Sequence, residues 1–122
     1  IADDEYANDE FMRSLIESSG PEDVRVHVKT IDEAAVFLKD HKDDKILVLL
    51  RSIEGLSKLI KKVKVSSINI GGLGAVHGRK RYYNSIHLSE DELNILKDLA
   101  NENIDVEVRI LPKDKAIVIK GN

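Results

Sequence analysis

Ser66-Ser67-Ile68-Asn69-Ile70-Gly71-Gly72-Leu73 is a short apolar run that ends in a glycine pair. A basic loop, His77-Gly78-Arg79-Lys80-Arg81, follows it. A strand that ends in paired glycines can turn sharply through positive φ and bring bare N–H groups close to an anion. Neighbouring cationic side chains would then hold that anion in place. Most such turns are only turns, so the meaning of this one depends on what surrounds it.

Working outward, the chain alternates helix and strand. Upstream, Ser52 caps a helix whose inward face is Leu56, Leu59, Ile60 and Val63. Before it, Lys45 to Leu50 is a continuous apolar run, as expected of a strand buried on both faces. Thr30 with Glu33 three residues on makes a capping box for a helix that turns Ile31, Ala34, Ala35 and Leu38 inward. Val24 to Val28 alternates like a strand. Ala7 to Glu17 places Phe11, Met12, Leu15 and Ile16 on one helical face, with Asp3 or Asp4 as N-cap and Gly20-Pro21 as the stop. Downstream, Tyr82 to Leu88 is a predicted strand. Ser89 and Glu92 form a second capping box, for a helix with Leu93, Leu96, Leu99 and Ala100 inward. Val106 to Leu111 and Ala116 to Ile119 complete the set as strands. Strands separated by single helices predict one α/β domain with a mainly parallel sheet and helices on both faces. In such sheets ligands gather beyond the carboxyl ends of the strands, where Arg51-Ser52 and Gly71 to Arg81 are both expected.

Composition narrows the function classes. A chain of 122 residues supports one domain with a real core. A net charge of −3 and an aromatic content of 4% argue against a nucleic-acid binder that works by a basic surface or by base stacking. The absence of cysteine excludes disulfides and thiol chemistry, which fits a reducing compartment. No apolar run approaches the ~20 residues of a membrane span. Nothing in the residues calls for a metal or a cofactor.

The run from Ile68 to Arg109 resembles the second half of the IIB components of the mannose/fructose/sorbose type of bacterial sugar phosphotransferase system. Ile68-Asn69-Ile70-Gly71-Gly72-Leu73 looks like that family's Asn-Val-Gly-Gly-Met signature. Tyr83-Asn84-Ser85-Ile86-His87-Leu88-Ser89 is similar to its next strand and helix start, and Ile104-Asp105-Val106-Glu107-Val108-Arg109 to its late strand. Ala2-Asp3-Asp4 and Pro21-Glu22-Asp23-Val24 extend the likeness upstream, over nearly the whole chain in register. The resemblance implies a cytoplasmic phosphocarrier, associated peripherally with its membrane transporter. It would take a phosphoryl group from a IIA partner on a histidine and pass it to a sugar entering through IIC and IID.

The family's acceptor histidine lies in an Asp-x-Arg-x-x-His-Gly-Gln-like motif after its first strand, and these 122 residues contain no such motif. Ile1-Ala2-Asp3-Asp4 looks like the end of the family's second strand. The expectation is therefore a IIB-like domain over 1–122 that lacks its N-terminal segment. It would expose apolar strand edges, favour self-association and be marginal as a monomer. His77-Gly78 echoes the acceptor motif but falls in a different loop, where a solvated histidine is expected. The expected phosphate contacts are Arg51, Ser52, Gly71 and Gly72, with Ser52 also explained as a helix cap. Arg79, Lys80 and Arg81 form a charge run that could dock an acidic IIA surface. The competing reading is a non-catalytic anion-binding or regulatory module with the same fold.

Overall fold

The computed structural model describes residues 1–83 and 86–121. The chain divides into two compact units, Ile1–Lys64 and Val65–Asn122.

The first unit is built on helices. Asp3 caps α1 (Asp4–Ala7) and Asp9 caps α2 (Glu10–Glu17), each side chain accepting from a backbone N–H three residues on. The single helix expected over 7–17 is thus interrupted, because Asp9 offers a second cap that competes with continuing the first turn. Phe11 and Leu15 of α2 are 73% and 52% exposed, so the predicted apolar face is not buried among the described residues. α3 (Ile31–Asp40) begins with the expected capping box of Thr30 and Glu33. It packs against α4 (Ile53–Ile60), with Ala34, Ala35, Ile53, Leu56 and Leu59 buried.

The two strands expected in this unit are only partly realised. Lys29 N–H donates to Ile1 O at 3.0 Å and Asp3 N–H donates to Lys29 O at 2.9 Å, a parallel bridge. The Val28 N–H is instead taken by the Glu17 carboxylate at 3.0 Å. On the other side, Ala2 N–H donates to Leu49 O at 3.1 Å. Apart from that bond, residues 45–49 join no backbone ladder among the described residues, and Ile46, Leu47 and Leu49 are 39%, 81% and 54% exposed. The doubly buried strand expected at Lys45–Leu50 is therefore not formed. An open groove of about 730 Å³ lies between this run and Val24–Lys29, with Ile16, Phe37 and Leu38 in its lining.

The second unit holds all five named strands: β1 (Ser67–Ile70), β2 (Lys80–Tyr83), β3 (Ile86–Leu88), β4 (Asp105–Val108) and β5 (Ile117–Val118), with α5 (Glu90–Asn101) between β3 and β4. β1 pairs with β4 in parallel, and Ile68↔Val106 and Ile70↔Val108 place four apolar side chains in register. All four are buried. α5 starts with the expected Ser89–Glu92 capping box and packs on β4. Leu96 and Leu99 are its buried residues. β5 returns antiparallel to β4, because the loop over 109–116 is too short for a crossover. The class is α/β as expected, and the sheet is mixed, with one parallel and one antiparallel pairing. The strand expected over Tyr82–Leu88 is two strands, β2 and β3, paired antiparallel. Positions 84 and 85 of that stretch lie outside the described residues.

Candidate functional site

In the first unit, Ser52 sits at the N-cap of α4, and its Oγ accepts the Gly55 N–H at 2.9 Å. Its backbone is extended, at φ −144° and ψ 153°, as a cap requires. The cap accounts for the residue structurally, and it fixes the first turn of α4. Arg51, beside it, is already engaged. Its guanidinium donates to both carboxylate oxygens of Asp3, and its Nη2 reaches Glu5 Oε2 at 3.0 Å. It also lies over the Tyr6 ring, 4.2 Å from the centroid. Asp3 is 8% exposed. Burial opposes its ionisation, but Arg51 and the Tyr6 N–H outweigh that and hold the carboxyl below its ordinary value. Arg51 is pushed upward, chiefly by Asp3 and then by Glu5. It is a permanently charged strut across this unit, and an anion there would compete with two carboxylates.

In the second unit the chain leaves β1 through Gly71-Gly72, both exposed. The premise of positive φ does not hold for this pair: among the described glycines only Gly78 has it, at 89°. Nor does crowding require glycine. A Cβ on Gly71 would meet its nearest atoms, Asn69 Nδ2 and Arg109 O, at 3.8 and 3.9 Å, which is ordinary contact. A Cβ on Gly72 would meet nothing within 4 Å. Bare, accessible backbone is thus kept where the chain itself does not demand it.

Asn69, before the glycine pair, and the stretch from Glu107 to Arg109 are brought together. Asn69 lies opposite Glu107 in the β1–β4 register. Its side-chain amide donates to Arg109 O at 3.0 Å, and the Arg109 N–H donates to Ile70 O at 3.2 Å. Asn69 is therefore a clasp that carries the β1–β4 pairing one residue beyond β4, to Arg109. Arg109 Nε is buried with no hydrogen-bond partner among the described residues.

Further along the loop, His87 N–H donates to Leu73 O at 2.8 Å, bridging Leu73 to β3. Arg79 N–H closes a turn on Val76 O at 3.0 Å, with Gly78 supplying the positive φ. His77 is exposed on this turn. Lys80 and Arg81 are exposed on β2, whereas the Arg79 side chain is 16% exposed and paired with Glu92. These three cations are consecutive in sequence and are expected to act together. The structure separates the first from the other two, and spacing alone carries no sign of that pairing. Of the other histidines, His41 stacks on Phe37 at 4.1 Å and His27 lies 5.0 Å from the same ring. Among the described residues no group of three or more potential ligands could hold a metal ion.

Comparison with known proteins adds four findings. The family model of the PTS system sorbose subfamily IIB component matches residues 1–120. The sorbose-specific EIIB component of Klebsiella pneumoniae is 20% identical over 122 residues, spanning 98% of this chain and 74% of that protein. The mannose-specific EIIAB component of Escherichia coli K12 is 24% identical over 117 residues, covering 93% of this chain and 36% of the larger protein. In three dimensions the crystal structure of the Klebsiella pneumoniae sorbose permease IIB domain superposes with a TM-score of 0.85 at 19% identity, over 95% of this chain and 73% of that one.

Proposed function

We infer the function of this chain from its family: it belongs to the sorbose-subfamily IIB components of the phosphotransferase system. On that premise, residues 1–122 act as one IIB-like domain of a phosphocarrier subunit. The subunit takes a phosphoryl group from a IIA phosphohistidine and gives it to a sugar entering through IIC and IID. It works in the cytoplasm against the membrane components. These 122 residues contain no Asp-x-Arg-x-x-His-Gly segment, so the acceptor histidine is sought on a protein extended to carry one.

The chemistry suits a loop of bare backbone. When the N–P bond to the IIA histidine breaks, a new N–P bond forms on the acceptor, and the phosphoryl oxygens keep their charge throughout. Such a group needs positioning and neutralisation more than acid–base work. The observation that supports this role is the Gly71-Gly72 pair, glycine without a conformational or steric need inside the chain. Its N–H groups can approach an oxyanion more closely than those of a residue with a side chain.

The test is to mix radiolabelled phospho-IIA with residues 1–122, and separately with a protein extended to carry the histidine loop. Label is expected on the extended protein only. Label on 1–122 would place the acceptor among its four histidines, with His77 the first to substitute. No label on either, with anion binding retained, would favour the regulatory module.

A further inference from the structure

Arg79 stands next to Lys80 and Arg81 in sequence, yet it is held quite differently from them. Its Nε donates to Glu92 Oε1 at 2.7 Å and its Nη2 to Glu92 Oε2 at 2.8 Å, a two-pronged pair. Its Nη1 donates to Gly74 O at 3.1 Å, inside the glycine loop. The two side chains are 16% and 17% exposed. Glu92 serves a second purpose at once. Its Oε1 accepts the Ser89 N–H at 2.9 Å, completing the capping box of α5. One carboxylate therefore ties the start of a helix to the end of the loop. A planar guanidinium fork is suited to such a rigid junction, whereas a lysine ammonium is a point charge without fixed direction.

Among the described residues the loop is also pinned at Leu73, through the His87 N–H. Between those two fixed points run exposed residues with no ladder of their own among the described residues. We propose that Arg79 is a positioning residue: through Glu92 and Gly74 O it holds the Gly71–Gly78 loop in the shape that presents the Gly71 and Gly72 N–H groups, while Lys80 and Arg81 alone face outward. This rests on the phosphate reading of the glycine loop given above.

The two readings of Arg79 predict opposite signs for one substitution. Glu92→Gln keeps a cap acceptor for the Ser89 N–H and removes no positive charge. If Arg79 positions the loop, Glu92→Gln loosens it and weakens binding of inorganic phosphate. If Arg79 is itself an anion or docking ligand, Glu92→Gln frees it and binding tightens or stays the same. The experiment is an NMR titration of the full chain with inorganic phosphate, read at the Gly71 and Gly72 amides. Amide exchange at residues 79 and 87 is measured beside it. Wild type, Glu92→Gln, Arg79→Gln, Arg79→Lys and the double variant are compared.

Positioning predicts that Arg79→Gln and Glu92→Gln each weaken phosphate roughly tenfold, the scale of one charge-assisted hydrogen bond. The double variant should add little, Arg79→Lys should fall between, and both amides should lose protection. Unchanged or tighter phosphate binding in Glu92→Gln overturns the proposal. So does weaker binding with unchanged protection at residues 79 and 87. If wild type binds no phosphate, the functional reading of the loop fails by itself. Exchange at residues 79 and 87 then still decides whether the pair holds the loop. Should Arg79→Gln fail to fold, Glu92→Gln and Arg79→Lys carry the same comparison.

Discussion

Half of the Arg51 side chain lies in solvent, while its partner Asp3 is almost wholly buried. That asymmetry decides what its loss would do. Arg51→Gln leaves a buried carboxylate without its counter-charge, so the fold should lose stability, a loss moderated because water already shares the guanidinium. Urea unfolding checks it, and Asp3→Asn in the same background should recover most of the loss, since asparagine still caps α1. Gly72→Ala makes the contrasting case. With open space around its Cβ and φ outside the left-handed region, stability should hold or rise by about 0.5 kcal/mol through the unfolded chain. Phosphate binding at the loop should fall. A variant that binds phosphate as well as wild type would remove the reason given for the glycine. Roles of this kind are only half legible in sequence. Ser52, Gly71 and Gly72 stand out by residue type, but Asp3 on Arg51 and Glu92 on Arg79 join residues 48 and 13 positions apart, and only the fold says that they meet.

Caps were the most readable elements. Thr30–Glu33 and Ser89–Glu92 both form reciprocal capping boxes, and Ser52 caps α4, because a cap depends on a few consecutive residues. Ser52→Ala should cost about 1 kcal/mol, with Ser52→Asp close to wild type in thermal unfolding. Strands were less readable, since a strand is defined by its partner. Ile68 to Ile70 and Val106 to Val108 found each other, whereas Ile46 to Leu49 has the composition of a buried strand and joins no ladder among the described residues. The Arg79–Glu92 pair also sets a pH dependence. Glu92 titrates below its ordinary value, chiefly because Arg79 donates to it, with the Ser89 N–H adding to this and burial opposing it. A lowered carboxyl contributes its stability above the unfolded value, about pH 4.5, and loses it as the pH falls through the folded value. The stability difference between wild type and Glu92→Gln should therefore be flat from about pH 5 to 8 and shrink below about pH 4. A difference that instead grows on acidification would mean that the carboxyl is not held low.

At the scale of the molecule, regular backbone pairing is distributed unevenly. All five named strands belong to Val65–Asn122, while Ile1–Lys64 carries four helices and a single bridge outside them. Native-state hydrogen exchange should follow that division. Amides of Ile68, Ile70, Val106 and Val108 are expected among the slowest, and those of residues 45–48 among the fastest, because protection tracks paired and buried backbone. Equal protection in the two sets would mean that the 45–48 run is paired in solution. The α/β class could be read from alternating periodicity. The mixed sheet and the unpaired run could not, since both depend on which segments lie side by side.

Lys45-Ile46-Leu47-Val48-Leu49-Leu50 contains neither proline nor glycine and a single charge, at its edge, and Leu47 and Leu49 keep more than half of their surface in water. Six residues of that composition are what dry, interdigitated fibril spines are made from. The feature that leaves a groove in residues 1–122 thus also gives that stretch, on its own, a shelf life. Concentrated solutions should form thioflavin-positive fibrils after a lag that shortens with protein concentration. Leu47→Lys places a gatekeeper charge on a side chain that is 81% exposed, so it should extend the lag severalfold at little cost to the fold.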